Sequence, residues 1–243
     1  MTDAWAGRRQ ESESLYQADP ERYAGEPSAF ARWTLSVLAR YPLHRSLVDL
    51  GAGVGRDARL FAESGYQVRG VEFAASAVDR ALEENRLLRE PYRSRVSVVL
   101  GEVTHFLHLL PDTSVDVVYA HLLYATFTEP ELLAAWLEVH RVLRPGGLHL
   151  YCVRDTTDPN VGKGELVGPQ TYFGGPHRVA YRYFSTEALT ALRAARFESI
   201  DLARPPKAHL IYAADARRDV PPPGETTVAA PPAQPPAGYS NGT

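Results

Sequence analysis

Three glycines at every second position, Gly51, Gly53 and Gly55, follow the aliphatic run Leu47–Leu50 and lead into a helix-like start at Arg56. A turn of this kind lets the backbone approach a ligand closely, with the N–H groups of the following helix start facing it. On its glycines alone it is equally a tight strand-to-helix connection that holds nothing. Asp49 stands inside the aliphatic strand just ahead of the turn, where a carboxylate suits an ammonium and repels a pyrophosphate. The spacing G-x-G-x-G places Arg56 where a dinucleotide fingerprint requires glycine. Glu72 closes the run QVRGVE about twenty residues further on, at the spacing where an acid accepts the two hydroxyls of a ribose. Its alternative is a solvated strand end, but Phe73-Ala74-Ala75 behind it make a wall suited to an adenine. His121 ends the run VDVVYAH, and histidine is the residue type that exchanges a proton near neutrality. It serves there either as a base or as a group that shapes the pocket and bonds a backbone carbonyl.

These residues need a scaffold, and residues 46 to about 214 alternate short aliphatic runs with longer amphipathic ones, the pattern of βα units around a mostly parallel sheet. Strands are expected at Leu47–Leu50, Gln67–Glu72, Val96–Leu100, Val115–His121, Gly147–Val153, Glu198–Leu202 and Leu210–Ala214. The clearest helix is Glu129–Leu143, with Thr128 as N-cap, an apolar face and Arg141 and Arg144 at its negative end. Ser76–Leu88 and Thr186–Arg196, the latter capped by Ser185, complete an α/β, doubly wound, seven-stranded arrangement of the Rossmann-like kind. Residues 1–45 read as a helical arm or lid, with the segment Ser28–Arg40 helical in spacing. Residues 46–218 form the main domain. Residues 219–243 carry seven prolines and little to bury, which predicts a disordered tail.

The chain has 243 residues, 44% of them apolar, and a net charge of −3, enough for a full core and too little positive charge to favour nucleic acid or an anionic membrane. Its single cysteine, Cys152, rules out an internal disulfide and a multi-thiolate metal site, and no metal is expected. The start MTDAWAGRRQ lacks the apolar run of a signal peptide, so the cytoplasm is the default location. Assembly into a homo-oligomer is left open.

Charge then separates the nucleotide ligands. The acid beneath the turn disfavours NAD, FAD and ATP and favours S-adenosylmethionine, which carries an ammonium and a sulfonium. At this point the sequence resembles the class I S-adenosylmethionine-dependent methyltransferases through VDLGAGVGR at 48–56, the strand-end Glu72, GEV at 101–103, VDVVYAH at 115–121 and RVLRPGGLHLYCVRD at 141–155. The resemblance implies that Gly51, Ala52 and Gly53 face the methionine portion, that Asp49 lies near its amino group, and that Glu72 holds the ribose. It further implies that Phe73 flanks the adenine, that Glu102 and the Val103 backbone take the adenine amino group, and that His121 and Leu122 border cofactor and substrate.

The acceptor side is written in aromatics and arginines. Tyr16, Tyr23 and Trp33 in the arm, Tyr124 after the fourth strand, and Arg154 and Tyr181 after the fifth are candidates for contact with a small apolar or aromatic molecule, and plain packing is the alternative for each. RVAYRYFS at 178–185 alternates like a strand. The polar, glycine-rich stretch Arg154–Gly175 reads as a long loop and candidate gate, similar to one in bacterial small-molecule methyltransferases related to the thiopurine- and tellurite-modifying enzymes. The expected function is methyl transfer to a small metabolite, in bacterial secondary metabolism, with oxygen, nitrogen and carbon acceptors all open. The contrasting reading is a non-catalytic S-adenosylmethionine sensor or scaffold.

Overall fold

The computed structural model describes residues 2–19, 25–174 and 179–218; the proline-rich tail and Tyr23 lie outside them. In chain order the helices are α1 Thr2–Ala18, α2 Ala29–Leu38, α3 Arg56–Glu63, α4 Ala75–Arg86, α5 Val103–His108, α6 Glu129–Val142 and α7 Thr186–Arg193. The strands are β1 Ser46–Leu50, β2 Gln67–Glu72, β3 Val96–Leu100, β4 Val115–His121, β5 Leu143–Arg154, β6 Glu165–Gly168, β7 Thr171–Gly174, β8 Val179–Arg182, β9 Phe197–Ala203 and β10 Leu210–Arg217.

Seven strands form one sheet in the order β3-β2-β1-β4-β5-β10-β9, parallel except for β10, which runs against both of its neighbours. The chain winds outward from β1 in one direction and then from β4 in the other, and ligands in such sheets lie past the carboxyl ends of the strands at that reversal. Asp49, the glycine turn, Glu72 and His121 all stand at that edge. The six residues Val115–Ala120 of β4 are buried on both sides, as a central parallel strand requires. One face packs α5, α6 and α7 through Trp136, Leu132, Val139 and Leu189, and the other packs α2 and α3 through Phe30, Val37 and Phe61.

Local sequence accounts for the element boundaries. The Glu131 carboxylate accepts both the backbone N–H (2.8 Å) and the hydroxyl of Thr128 (2.7 Å), closing the start of α6. Ser185 caps α7 by accepting from Ala188 N at 3.2 Å. The expected N-terminal helical arm is present as α1, 17 residues long, and α2. The stretch expected to be a loop departs from the reading of the sequence: it supplies two strands of a three-stranded antiparallel sheet, β6-β7-β8. A Cβ at Gly164 would collide with the Phe173 carbonyl, so glycine there lets the β6 and β7 backbones close on each other. Those glycines break the alternation by which short strands are recognised. Tyr181 and Tyr183 on the predicted strand at 178–185 are respectively half-buried and buried.

Tyr124 is not at the acceptor site. It is fully buried, its hydroxyl lies 2.8 Å from His149 Nε2, and it meets Phe127, Trp136 and Tyr151 edge-on or tilted. Leu122 takes a left-handed conformation (φ 60°) at the start of the short turn Leu123–Thr126. Burial holds His149 neutral, with its pKa pushed down to about 3. Tyr124→Phe strands the imidazole without this partner and should lower stability by roughly 1–3 kcal/mol, measured by urea unfolding.

Asp116 staples β4 to the start of β1. It accepts from Arg45 N (2.9 Å), Ser46 N (2.8 Å) and the Ser46 hydroxyl (2.9 Å), and Arg144 donates to its other oxygen at 2.5 Å. Burial raises its pKa, but these donors outweigh burial and hold it at about 2. A carboxyl depressed on folding stabilises above its unfolded pKa of about 3.9 and loses that contribution as pH falls through the folded value. Asp116→Ala should therefore lower Tm at pH 7, and its gap from the unsubstituted protein should close between about pH 4 and pH 2 in calorimetric scans.

Candidate functional site

The glycine turn is held by strand β2. Gly51, Gly53 and Gly55 have φ of 71°, 55° and 74°, conformations open to glycine at little cost. The N–H groups of Gly51 and Ala52 donate to the Val71 carbonyl at 2.9 and 3.0 Å. Glu72 continues this tie: Oε2 accepts from Gly53 N at 3.0 Å, and Oε1 from Phe73 N and Ala74 N at 2.8 and 2.9 Å. Burial pushes the Glu72 carboxyl up, and the three N–H donors pull it back. Glu72 thus shapes the turn, and an ionised carboxylate has about four acceptor sites, so room remains for a hydroxyl beside its three backbone donors. A Cβ on Gly70 of β2 would lie 2.8 Å from the Ala52 side chain, so that glycine lets the turn lie flat against β2.

Asp49 is 2% exposed, and its Oδ2 has no hydrogen-bond partner among the described residues. Burial, then the neighbouring charges of Asp57 and Glu72, push its carboxyl well above the carboxylate range. A buried acid without a donor is unfavourable, and a ligand ammonium supplies both the hydrogen bonds and the charge that this one lacks. The donor set therefore fits the amino-acid end of S-adenosylmethionine.

Asp57, which the sequence reading passed over, organises the other side of the turn. Its oxygens accept from Ser28 N, the Ser28 hydroxyl and the Tyr119 hydroxyl, each at 2.7 Å. His121 Nδ1 lies 3.5 Å from Oδ2. Burial opposes ionisation, but His121 and these donors overcome it and hold Asp57 charged well below the usual range. An aspartate after G-x-G-x-G-R resembles any helix-start acid, so nothing local marked it.

The N-terminal helix crosses this edge of the sheet. The Arg8 guanidinium forks onto the Glu131 carboxylate and donates to the Thr126 carbonyl at 3.1 Å, beyond β4. Both oxygens of Glu13 lie 3.2 Å from Ser76 N at the start of α4, beyond β2. One turn beyond Glu13, Tyr16 packs on Val54, Ala74 and Ala77, and a Cβ on Gly53 would lie 2.7 Å from its hydroxyl. Tyr16, expected on the acceptor side, therefore stands over the glycine turn.

The remaining candidates divide. Phe73 is half-buried beside Glu72, Val103 is buried at the start of α5, and Leu122 is half-buried with its N–H on the Cys152 carbonyl at 3.0 Å. Glu102 also caps α5, its carboxylate accepting from Thr104 N and His105 N at 2.7 Å each. Trp33 is half-buried and packs against Phe30 and Tyr212, ring centroids 5.7 Å away in each case. Arg154 lies 4.6 Å over the Tyr181 ring and pairs with Asp158 at 3.2 Å; its buried Nε has no hydrogen-bond partner among the described residues. Among the described residues no His, Cys, Asp and Glu group could hold a metal, and no helix is long and apolar enough to cross a membrane.

Comparison with known proteins agrees with this geometry. The family profile described as a methyltransferase domain matches residues 48–151, from β1 through most of β5. The 24-methylenesterol C-methyltransferase 2 of Oryza sativa subsp. japonica is 39% identical over 116 residues, 47% of this chain and 30% of that protein. The chain spans about a third of the length of the curated relatives it matches. Among solved structures, a Burkholderia thailandensis 1,6-didemethyltoxoflavin-N1-methyltransferase with bound 1,6-didemethyltoxoflavin and S-adenosylhomocysteine superposes with a TM-score of 0.68 at 24% identity, covering 89% of this chain and 90% of that one. The [4+2]-cyclase SpnF shares the fold at a TM-score of 0.55 and 24% identity, covering 71% and 60%. The glycine turn, the strand-end acid and the strands from β1 through most of β5 thus lie within a stretch that matches the methyltransferase domain family, on a sheet with the fold of the solved methyltransferases.

Proposed function

We propose that this protein transfers a methyl group to a small metabolite. The observation that carries the reading is the buried, partnerless Asp49 Oδ2 beside the glycine turn, a site built for a cation and not for a pyrophosphate. Asp49 would hold the amino group, the backbone of Gly51, Ala52 and Gly53 would line the methionine portion, and Glu72 would take the ribose. Phe73 and Val103 would flank the adenine, with Glu102 holding the helix start beside it. S-adenosylmethionine, when bound, supplies a methyl group activated by its sulfonium. The protein's own task is alignment, and holding nucleophile and methyl group in line can contribute several kcal/mol without further chemistry.

The acceptor would lie past β4 and β5, between His121, Leu122, Trp33 and the Arg154–Tyr181 pair. α1, crossing from α6 to α4 over the glycine turn, would act as a lid, which favours a small molecule over a polymer. The toxoflavin methyltransferase of the same fold, with its bound heterocycle, supports that size class. The cyclase supports keeping the fold apart from the chemistry.

Two measurements check this. Calorimetric titration with S-adenosylmethionine should show proton release, because the raised Asp49 carboxyl must ionise to meet the ammonium, and affinity should weaken as pH falls. Asp49→Asn should abolish the release and weaken binding by about 1.5–3 kcal/mol, the worth of a charge-assisted bond. A metabolite extract incubated with the protein and methyl-deuterated S-adenosylmethionine should yield a product heavier by the labelled methyl group. Tight cofactor binding without any labelled product would point to a sensor instead.

A further inference from the structure

We infer that Asp57 is a positioning residue that orients His121 as a general base, so that the methyl acceptor is an O–H or N–H nucleophile that must lose a proton. The inference rests on the methyl-transfer reading and narrows it. Asp57 sits at the first turn of α3 and is fixed by three donors from two other elements, Ser28 N and Oγ ahead of α2 and Tyr119 Oη on β4. That leaves the Oδ2 edge 3.5 Å from His121 Nδ1. Phe30 backs the imidazole, ring centroids 5.7 Å apart. A carboxylate facing Nδ1 places the proton on that nitrogen and leaves the lone pair on Nε2, which has no hydrogen-bond partner among the described residues. Base and orienting acid are thus arranged as in the general nucleophile-activating pattern.

The step balances without any further reagent. The acceptor X–H bond breaks with its proton passing to His121 Nε2, an X–CH3 bond forms, and the sulfonium C–S bond breaks with its electron pair remaining on sulfur. The imidazolium formed is stabilised by the ionised Asp57. An acceptor with no such proton, a tertiary amine or a thioether, would have no use for this pair. The charged and titratable groups around it are Asp49 from β1, Arg56 and Arg59 from α3, the former with Nε 3.8 Å from Asp57 Oδ1, Tyr119 from β4, Cys152 from β5 and Tyr212 from β10. Burial pushes the two tyrosines and the cysteine up, so they stay neutral through the working range, and Asp57 is the carboxylate that meets the imidazole.

Nitrogen-15 NMR of the full-length protein saturated with S-adenosylhomocysteine should find neutral His121 as the Nδ1–H tautomer, and Asp57→Asn should turn it toward Nε2–H. The same tautomer before and after Asp57→Asn would overturn the assignment, whatever the protein's activity. If the asparagine variant does not fold, the unsubstituted protein decides alone: Nε2–H as its neutral His121 tautomer would overturn the assignment. On the labelled product from the extract, His121→Gln should cut kcat by roughly 100-fold. Asp57→Asn should cut kcat by roughly tenfold or more. An unaltered kcat in both variants, or a product methylated on a tertiary amine or thioether, would also overturn it. A normal NMR result with no labelled product would fail the methyl-transfer reading and leave the pair intact.

Discussion

Three carboxylates, Asp49, Asp57 and Glu72, are buried around one glycine turn, and the edge of the sheet is arranged around how each is satisfied. Burying an acid is unfavourable unless donors or an opposite charge meet it, and like charges nearby worsen the balance. Glu72 is met by three backbone N–H groups and Asp57 by two hydroxyls, one N–H and an imidazole. Asp49 Oδ2 is met by nothing within the described protein. The cluster is therefore complete on two sides and open on the third, which is where a cation is wanted.

The same bonds decide where the surrounding elements go. Through Glu72 the turn, the end of β2 and the approach to α4 form one hydrogen-bonded unit. Through Asp57 the start of α2 is fastened to α3 and to Tyr119 of β4. α1 is held at Glu131 and at Ser76, and its Tyr16 hydroxyl reaches Gly53.

Of the aromatic residues expected on the acceptor side, Tyr124 is fully buried. Tyr124 belongs to a fully buried cluster with His149, Trp136 and Tyr151, and Trp33 packs against β10 through Tyr212. Each was an aromatic in the right part of the chain. Inward or outward orientation depended on one left-handed residue, Leu122, and on which strand lay beside it. Neither is visible in composition or periodicity.

The sequence by itself determined the βα order, the bounds of β2, β3 and β4, the caps of α6 and α7, and the chemistry of the turn, because these depend on residues within a few positions of one another. Gly51, Gly53 and Gly55 announce their backbone freedom, and Asp49 and Glu72 are carboxylates set against aliphatic strands. Tertiary structure alone decided the pairing of Asp57 with His121, residues 64 positions apart, because it required β4 to be the neighbour of β1. It likewise decided the course of α1, a polar helix that signals no burial, and the β6-β7-β8 sheet, whose glycines hide its alternation. Local chemistry can be read from neighbours along the chain, but which buried charge meets which partner is settled only when strands far apart in sequence lie side by side.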